Sequence, residues 1–136
     1  MKPPIPAGPL LALLLLLPAQ PAGAQPKAGA ADQETVLSTY HVRQGKEKAF
    51  EEVLERTWGV YRQLDAVLPA PHIVARSVDE QGRADYREIF TWRSADIPDH
   101  APKEIRAAWA EMRALCEPRG GDGAIAFVEL DIIRSS

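Results

Sequence analysis

From Val36 to Arg43 the chain reads VLSTYHVR, dense in β-branched and aromatic residues and closed by Gln44-Gly45, the pattern of a strand running into a turn. KEKAFEEVLERTWGVYRQLDAV then spaces Phe50, Val53, Leu54, Thr57, Tyr61 and Leu64 at helical intervals, with glutamates and arginines opposite. That predicts a long amphipathic helix, weakened at Gly59 and stopped by Leu68-Pro69-Ala70-Pro71. His72 to Val78 reads as a second strand, Glu80 to Arg83 as a hairpin connection and Asp85 to Arg93 as a third strand. Ile105, Ala108, Trp109, Met112, Leu115 and Cys116 trace the apolar face of a second helix. Pro118 to Gly123 breaks it, and AIAFVELDII is a fourth strand.

The order strand, helix, strand, strand, helix, strand predicts an α+β, ferredoxin-like βαββαβ sandwich, with four antiparallel strands and both helices on one face. If the other face were solvated, alternate strand residues would be polar. Instead Ala126, Val128, Leu130 and Ile132 form one set and Ile125, Phe127 and Ile133 the other, while Leu37 and Ile89 oppose Val36, Tyr40 and Phe90. Something must cover the second face, and a second copy of the same sheet is the economical cover, giving a two-fold homodimer.

The segment before Val36 changes the picture of compartment. Lys2, an apolar run from Leu10 to Leu17 and the small residues Ala22-Gly23-Ala24 have the layout of a cleavable secretory signal, residues 1–24, too short in its apolar part to span a bilayer. An uncleaved anchor is the alternative, disfavoured by Pro9 and Pro18 around the run. Residues 25–34 read as a flexible leader and 35–134 as one domain. The protein is then exported, periplasmic or secreted, and meets the membrane only through its signal.

The net charge of −3 and the lack of a Lys/Arg stripe argue against nucleic acid as a partner. The single cysteine, Cys116, excludes an intramolecular disulfide, and its place on an apolar helix face suits packing rather than reactivity. His41, His72 and His100 come from separate elements without metal-ligand spacing, so no metal site is expected.

VRQGKEKAFEEVL after a first strand and FTWRS ending a third resemble the dimeric α/β-barrel superfamily that includes antibiotic-biosynthesis-monooxygenase-like proteins, over about Thr35 to Arg134. PDHAP is similar to a stretch in a group of small exported bacterial proteins with no activity attached to them. The resemblance implies a ligand cavity between helices and sheet and, often, oxidation of electron-rich aromatics with no cofactor. Haem-degrading members use an asparagine on the first strand, a tryptophan on the third and a histidine on the second helix. Trp92 can match the tryptophan and His100 precedes the helix, but the chain contains no asparagine, which argues against haem degradation.

Candidate catalytic residues are therefore His100 as a proton acceptor near neutral pH, Asp99 as its orienting carboxylate, and Glu88 as a partly buried base. Against these stand plainer roles: Asp99 capping the second helix with Pro102 in its first turn, and Glu88 or Glu129 pairing with Arg87, Arg76 or a partner subunit's arginine. Candidate ligand-binding residues are Trp92, Tyr40, His41 and Trp109, with Trp109 equally suited to the core. Because strand side chains alternate, only one of Tyr40 and His41 can face the helices. The functional expectation is a small-molecule-binding dimer for an apolar or aromatic ligand, either a cofactor-independent monooxygenase-type protein oxidising an aromatic or quinol or a non-catalytic binding or protein-interaction module.

Overall fold

The structure, a computed structural model, describes residues 32–134; the expected signal, and the leader up to Ala31, lie outside them. The elements run β1 (Glu34–Val42), α1 (Glu47–Gln63), β2 (Val67–Val78), β3 (Ala84–Trp92), α2 (Asp96–Asp99), α3 (Lys103–Ala114) and β4 (Ile125–Leu130). The strands form one antiparallel sheet in the order β2-β3-β1-β4, the ferredoxin-like arrangement expected from the pattern.

The apolar positions of both helices meet one face of this sheet. Phe50, Val53, Leu54, Thr57 and Tyr61 of α1 and Ile105, Ala108 and Met112 of α3 are buried. They pack on Val36, Tyr40 and Val42 of β1 and Ala84, Tyr86, Phe90 and Trp92 of β3, in two adjoining clusters. The opposite face carries a transverse apolar row, because Ile73 pairs with Ile89, Ile89 with Leu37 and Leu37 with Val128. Ile73 and Val128 at the ends of that row are 52% and 53% exposed.

Four boundaries depart from the pattern. β1 already includes Glu34, which the leader was expected to contain, since Glu34 pairs with Trp92. α1 ends at Gln63 rather than at the prolines: Asp65 takes a left-handed φ of 55°, and the N–H groups of Asp65 and Ala66 return to the carbonyls of Arg62 and Tyr61. This double closure satisfies carbonyls at the helix end, and it leaves Leu64 exposed. β2 consequently starts at Val67 and carries the prolines in an irregular stretch between Val67 and His72, tolerable because it is an edge strand. β4 stops at Leu130, opposite Thr35, where β1 has nearly run out of partners, so Ile132 and Ile133 project beyond it.

Asp99 does not cap the second helix. It closes the separate turn α2, and Pro102 itself is the N-cap of α3, its carbonyl receiving the N–H groups of Ile105 and Arg106. Proline lacks an N–H and biases the preceding residue toward extended geometry, so α3 does not extend back to Asp99.

The β2–β3 hairpin is held by one carboxylate. Asp79 accepts the backbone N–H groups of Gln81 and Arg83 at 2.9 Å each and pairs with Arg83 Nε at 2.8 Å. The Arg83 backbone N–H is the main reason its pKa lies below the usual range. A carboxyl lowered in the folded state contributes stability that is present above its unfolded value of about 3.9 and lost as pH falls through the lowered value. Asp79→Asn is expected to melt below the wild type at pH 7, with the gap closing as pH falls through the lowered value of the wild-type carboxyl. Thermal denaturation across pH measures this, and a gap independent of pH would contradict it.

Candidate functional site

Two hollows open on the helix-covered side of the sheet. Toward the β4 edge, a cavity of about 310 Å³ lies between β1, β4 and the α2–α3 segment. Trp92, Trp109, Tyr40, Phe127 and Met112 wall it, and Glu34, Asp99 and Arg113 supply its polar groups. Toward the β2 edge, a more open cleft of about 620 Å³ is bounded by Trp58, His72, Arg76, Tyr86 and the carboxylates of Glu51 and Glu55.

The cavity wall is rigid because its aromatic rings support each other. Trp92 meets Tyr61 and Phe90 with centroids 4.9 Å away and Trp109 at 6.3 Å in an edge-on arrangement. Trp109 Nε1–H donates to the Tyr61 hydroxyl at 2.6 Å, so its polar atom is satisfied inside the core while its ring lines the cavity. Burial raises the Tyr61 hydroxyl well above the ordinary tyrosine range. At the polar end, Glu34 is held above the usual glutamate range, first by burial and then by the charges of Glu129 and Asp99. Such a carboxyl readily accepts a hydrogen bond from a ligand hydroxyl.

From the wall residue Tyr40 a line of hydrogen bonds runs across three strands. Tyr40 O–H donates to Glu88 Oε1 at 2.8 Å, and His72 Nε2 lies 2.8 Å from Glu88 Oε2. Glu88 is only 1% exposed. Burying a carboxylate costs several kcal/mol unless hydrogen bonds compensate, and these two bonds do so. Burial, reinforced by the charge of Glu88, holds the Tyr40 hydroxyl well above the ordinary tyrosine range. Trp58 stacks flat on His72, with centroids 3.6 Å apart and planes 6° from parallel, which fixes the imidazole.

The structure brings Trp92, Tyr40, Trp109 and Asp99 to one cavity. It does not bring His100 there: His100 follows α2 as its C-cap, its side chain is exposed, and it does not line either hollow. No Asp99–His100 side-chain hydrogen bond forms among the described residues. Tyr40, not His41, faces the helices. His41 lies on the opposite face with Nδ1 2.7 Å from Asp85, which also receives Arg119 Nη1 at 2.7 Å. Glu88 pairs with Tyr40 and His72 in place of the arginines expected for it.

Cys116, just past α3, is buried against Val42, and burial pushes its thiol up to about 11, away from the reactive thiolate. Glu34 and the His72–Trp58 pair went unforeseen. The alternation of ETVLSTY extends back to Glu34, and His72 shares strand parity with Val74 and Arg76, whose cross-strand neighbours face the helices. Those two signals were available in the chain.

The ferredoxin-like architecture is shared with solved structures, which bears out the expected fold. Among solved structures, SnoaB from Streptomyces nogalater, a cofactor-independent oxygenase, superposes with a TM-score of 0.56 and 19% identity, over 76% of this chain and 96% of that one. A dimeric ferredoxin-like protein of unknown function from Jannaschia sp. CCS1 gives 0.55 and 17%, over 74% and 99%. A candidate antibiotic biosynthesis monooxygenase from Caulobacter crescentus CB15 gives 0.54 and 21%, over 74% and 91%. No family model matches the sequence, and no curated protein does.

Proposed function

We propose that this protein is an exported homodimer that binds a small electron-rich aromatic, a phenol or quinol, and oxidises it without a cofactor. The observation that carries the reading is the aromatic-walled cavity of about 310 Å³ with carboxylates at one end. Apolar walls with a few convergent polar groups suit a flat ring bearing hydroxyls. Trp92 and Trp109 hold the ring, while Glu34, Asp99 and Arg113 receive its polar substituents. Excluding water from such a pocket favours reaction of the electron-rich anion with dioxygen. For a quinol the balance is quinol plus dioxygen giving quinone plus hydrogen peroxide, with two electrons and two protons passing to oxygen.

Dimerisation is proposed through the row Ile73, Ile89, Leu37 and Val128, whose exposure on a wide sheet face calls for a cover. The dimeric state of the Jannaschia neighbour supports this. Export is proposed from the signal-like residues 1–24.

Oxygen uptake by the purified protein with 1,4-naphthohydroquinone tests the activity. The expected result is uptake above autoxidation that saturates with hydroquinone. Uptake at the autoxidation rate despite binding would leave the alternative, a non-catalytic binding module, which the outward placement of His100 favours.

A further inference from the structure

Glu88 is the one buried acid among the described residues, and ligand holding as described above makes no use of it. A buried ionisable group stabilises a fold no better than a well-packed apolar side chain of similar size, so packing gives no reason for its presence. Its surroundings are ordered for another purpose. Tyr40 belongs both to the cavity wall and, through its hydroxyl, to Glu88 Oε1. His72 belongs both to the outer cleft and, through Nε2, to Glu88 Oε2. Ser38 Oγ, fully buried and opposite Glu88 in the register, lies close enough to lower the Tyr40 hydroxyl slightly but makes no hydrogen bond of good geometry.

We propose that Tyr40 and Glu88 form the proton acceptor of the cavity, with His72 positioning the carboxylate from the far side. The proposal rests on the reading of the cavity as a phenol or quinol site. A ligand O–H set against Tyr40 gives its proton to the tyrosine oxygen as the tyrosine proton moves to Glu88 Oε1. Two O–H bonds break and two form, no electrons are exchanged, and the products are a bound phenolate and a neutral Glu88. The proton returns by the same line to the reduced oxygen species formed later. Tyr40 is the catalytic residue of this pair, since it meets the ligand, while Glu88 and His72 act through it.

The groups that face Glu88 are Tyr40 from β1, His72 from β2 and Tyr61 from α1, the last receiving the Trp109 N–H from α3. Tyr61 is raised by burial and stays neutral, and the Arg76 and Glu51 charges meet each other at 3.5 Å in the outer cleft.

The test is the ionisation of bound 4-nitrophenol, read from its phenolate absorbance across pH in the full-length protein. The wild type is expected to ionise the bound probe about one pH unit or more below Glu88→Gln and Tyr40→Phe, a tenfold or greater change in the equilibrium. Tyr40→Phe removes only the hydroxyl and keeps the ring, so it serves if Glu88→Gln fails to fold. Equal ionisation pH in the wild type and a folded, probe-binding variant would overturn the proposal. A retained shift with no turnover of quinols would uphold the proton acceptor and sink the oxidation reading. Failure of the wild type to bind the phenol would overturn both.

Discussion

Leu37→Asp is expected to yield a folded monomer in place of the proposed dimer. Leu37 lies in the middle of the apolar row on the helix-free face, flanked by Ile89 and Val128. Two-fold symmetry brings the same position of the second copy into the same interface, so each dimer would bury two carboxylates among aliphatic side chains. An uncompensated buried charge costs about 3–5 kcal/mol, and each 1.4 kcal/mol is tenfold in Kd, so the dimer weakens by more than about a hundredfold. The substituted side chain points away from both helices, so secondary structure should persist. Sedimentation velocity with circular dichroism checks both statements. A dimer of unchanged affinity would show that this face is not the interface.

Trp92→Ala is expected to damage stability and binding together. Trp92 is 4% exposed and touches Tyr61, Phe90 and Trp109 while forming part of the cavity wall. Truncating a buried tryptophan costs about 3–5 kcal/mol, which for a domain of this size lowers Tm by more than about 10 °C. Trp92→Phe keeps an aromatic ring for Tyr61 and Phe90 to pack against, and should recover most of the stability but less of the ligand affinity. Differential scanning calorimetry and ligand titration separate the two effects. Full stability in Trp92→Ala would contradict the packing described for this wall.

The parts of the fold that the chain announces are those with a strong period. Phe50, Val53, Leu54, Thr57 and Tyr61 repeat at helical spacing and are buried together, and the two-sided apolar character of β1 and β3 follows from their alternation. Places decided by one backbone torsion or one pairing partner were not legible. A left-handed Asp65 ends α1 before any proline does, and β4 ends at Leu130, opposite Thr35 near the start of β1, short of Ile132 and Ile133.

The site divides in the same way. Trp92, Tyr40 and Trp109 announce themselves as large aromatics on strand and helix faces, and their convergence follows from the topology. The Tyr40–Glu88–His72 line depends on two diagonal contacts across three strands, and no local pattern displays that. His100 attracted a catalytic role because it stands beside Asp99 in sequence, but the short turn α2 sends its side chain outward.

The measurement that bears most directly on the cavity is native mass spectrometry of the protein, expressed with export in a bacterial host, before and after incubation with 1,4-naphthohydroquinone. A dimer that carries, or takes up, one small aromatic molecule per subunit is the predicted result, with occupancy falling in Trp92→Phe. A protein that stays free of ligand in the presence of excess hydroquinone would contradict the reading of this cavity as a binding site.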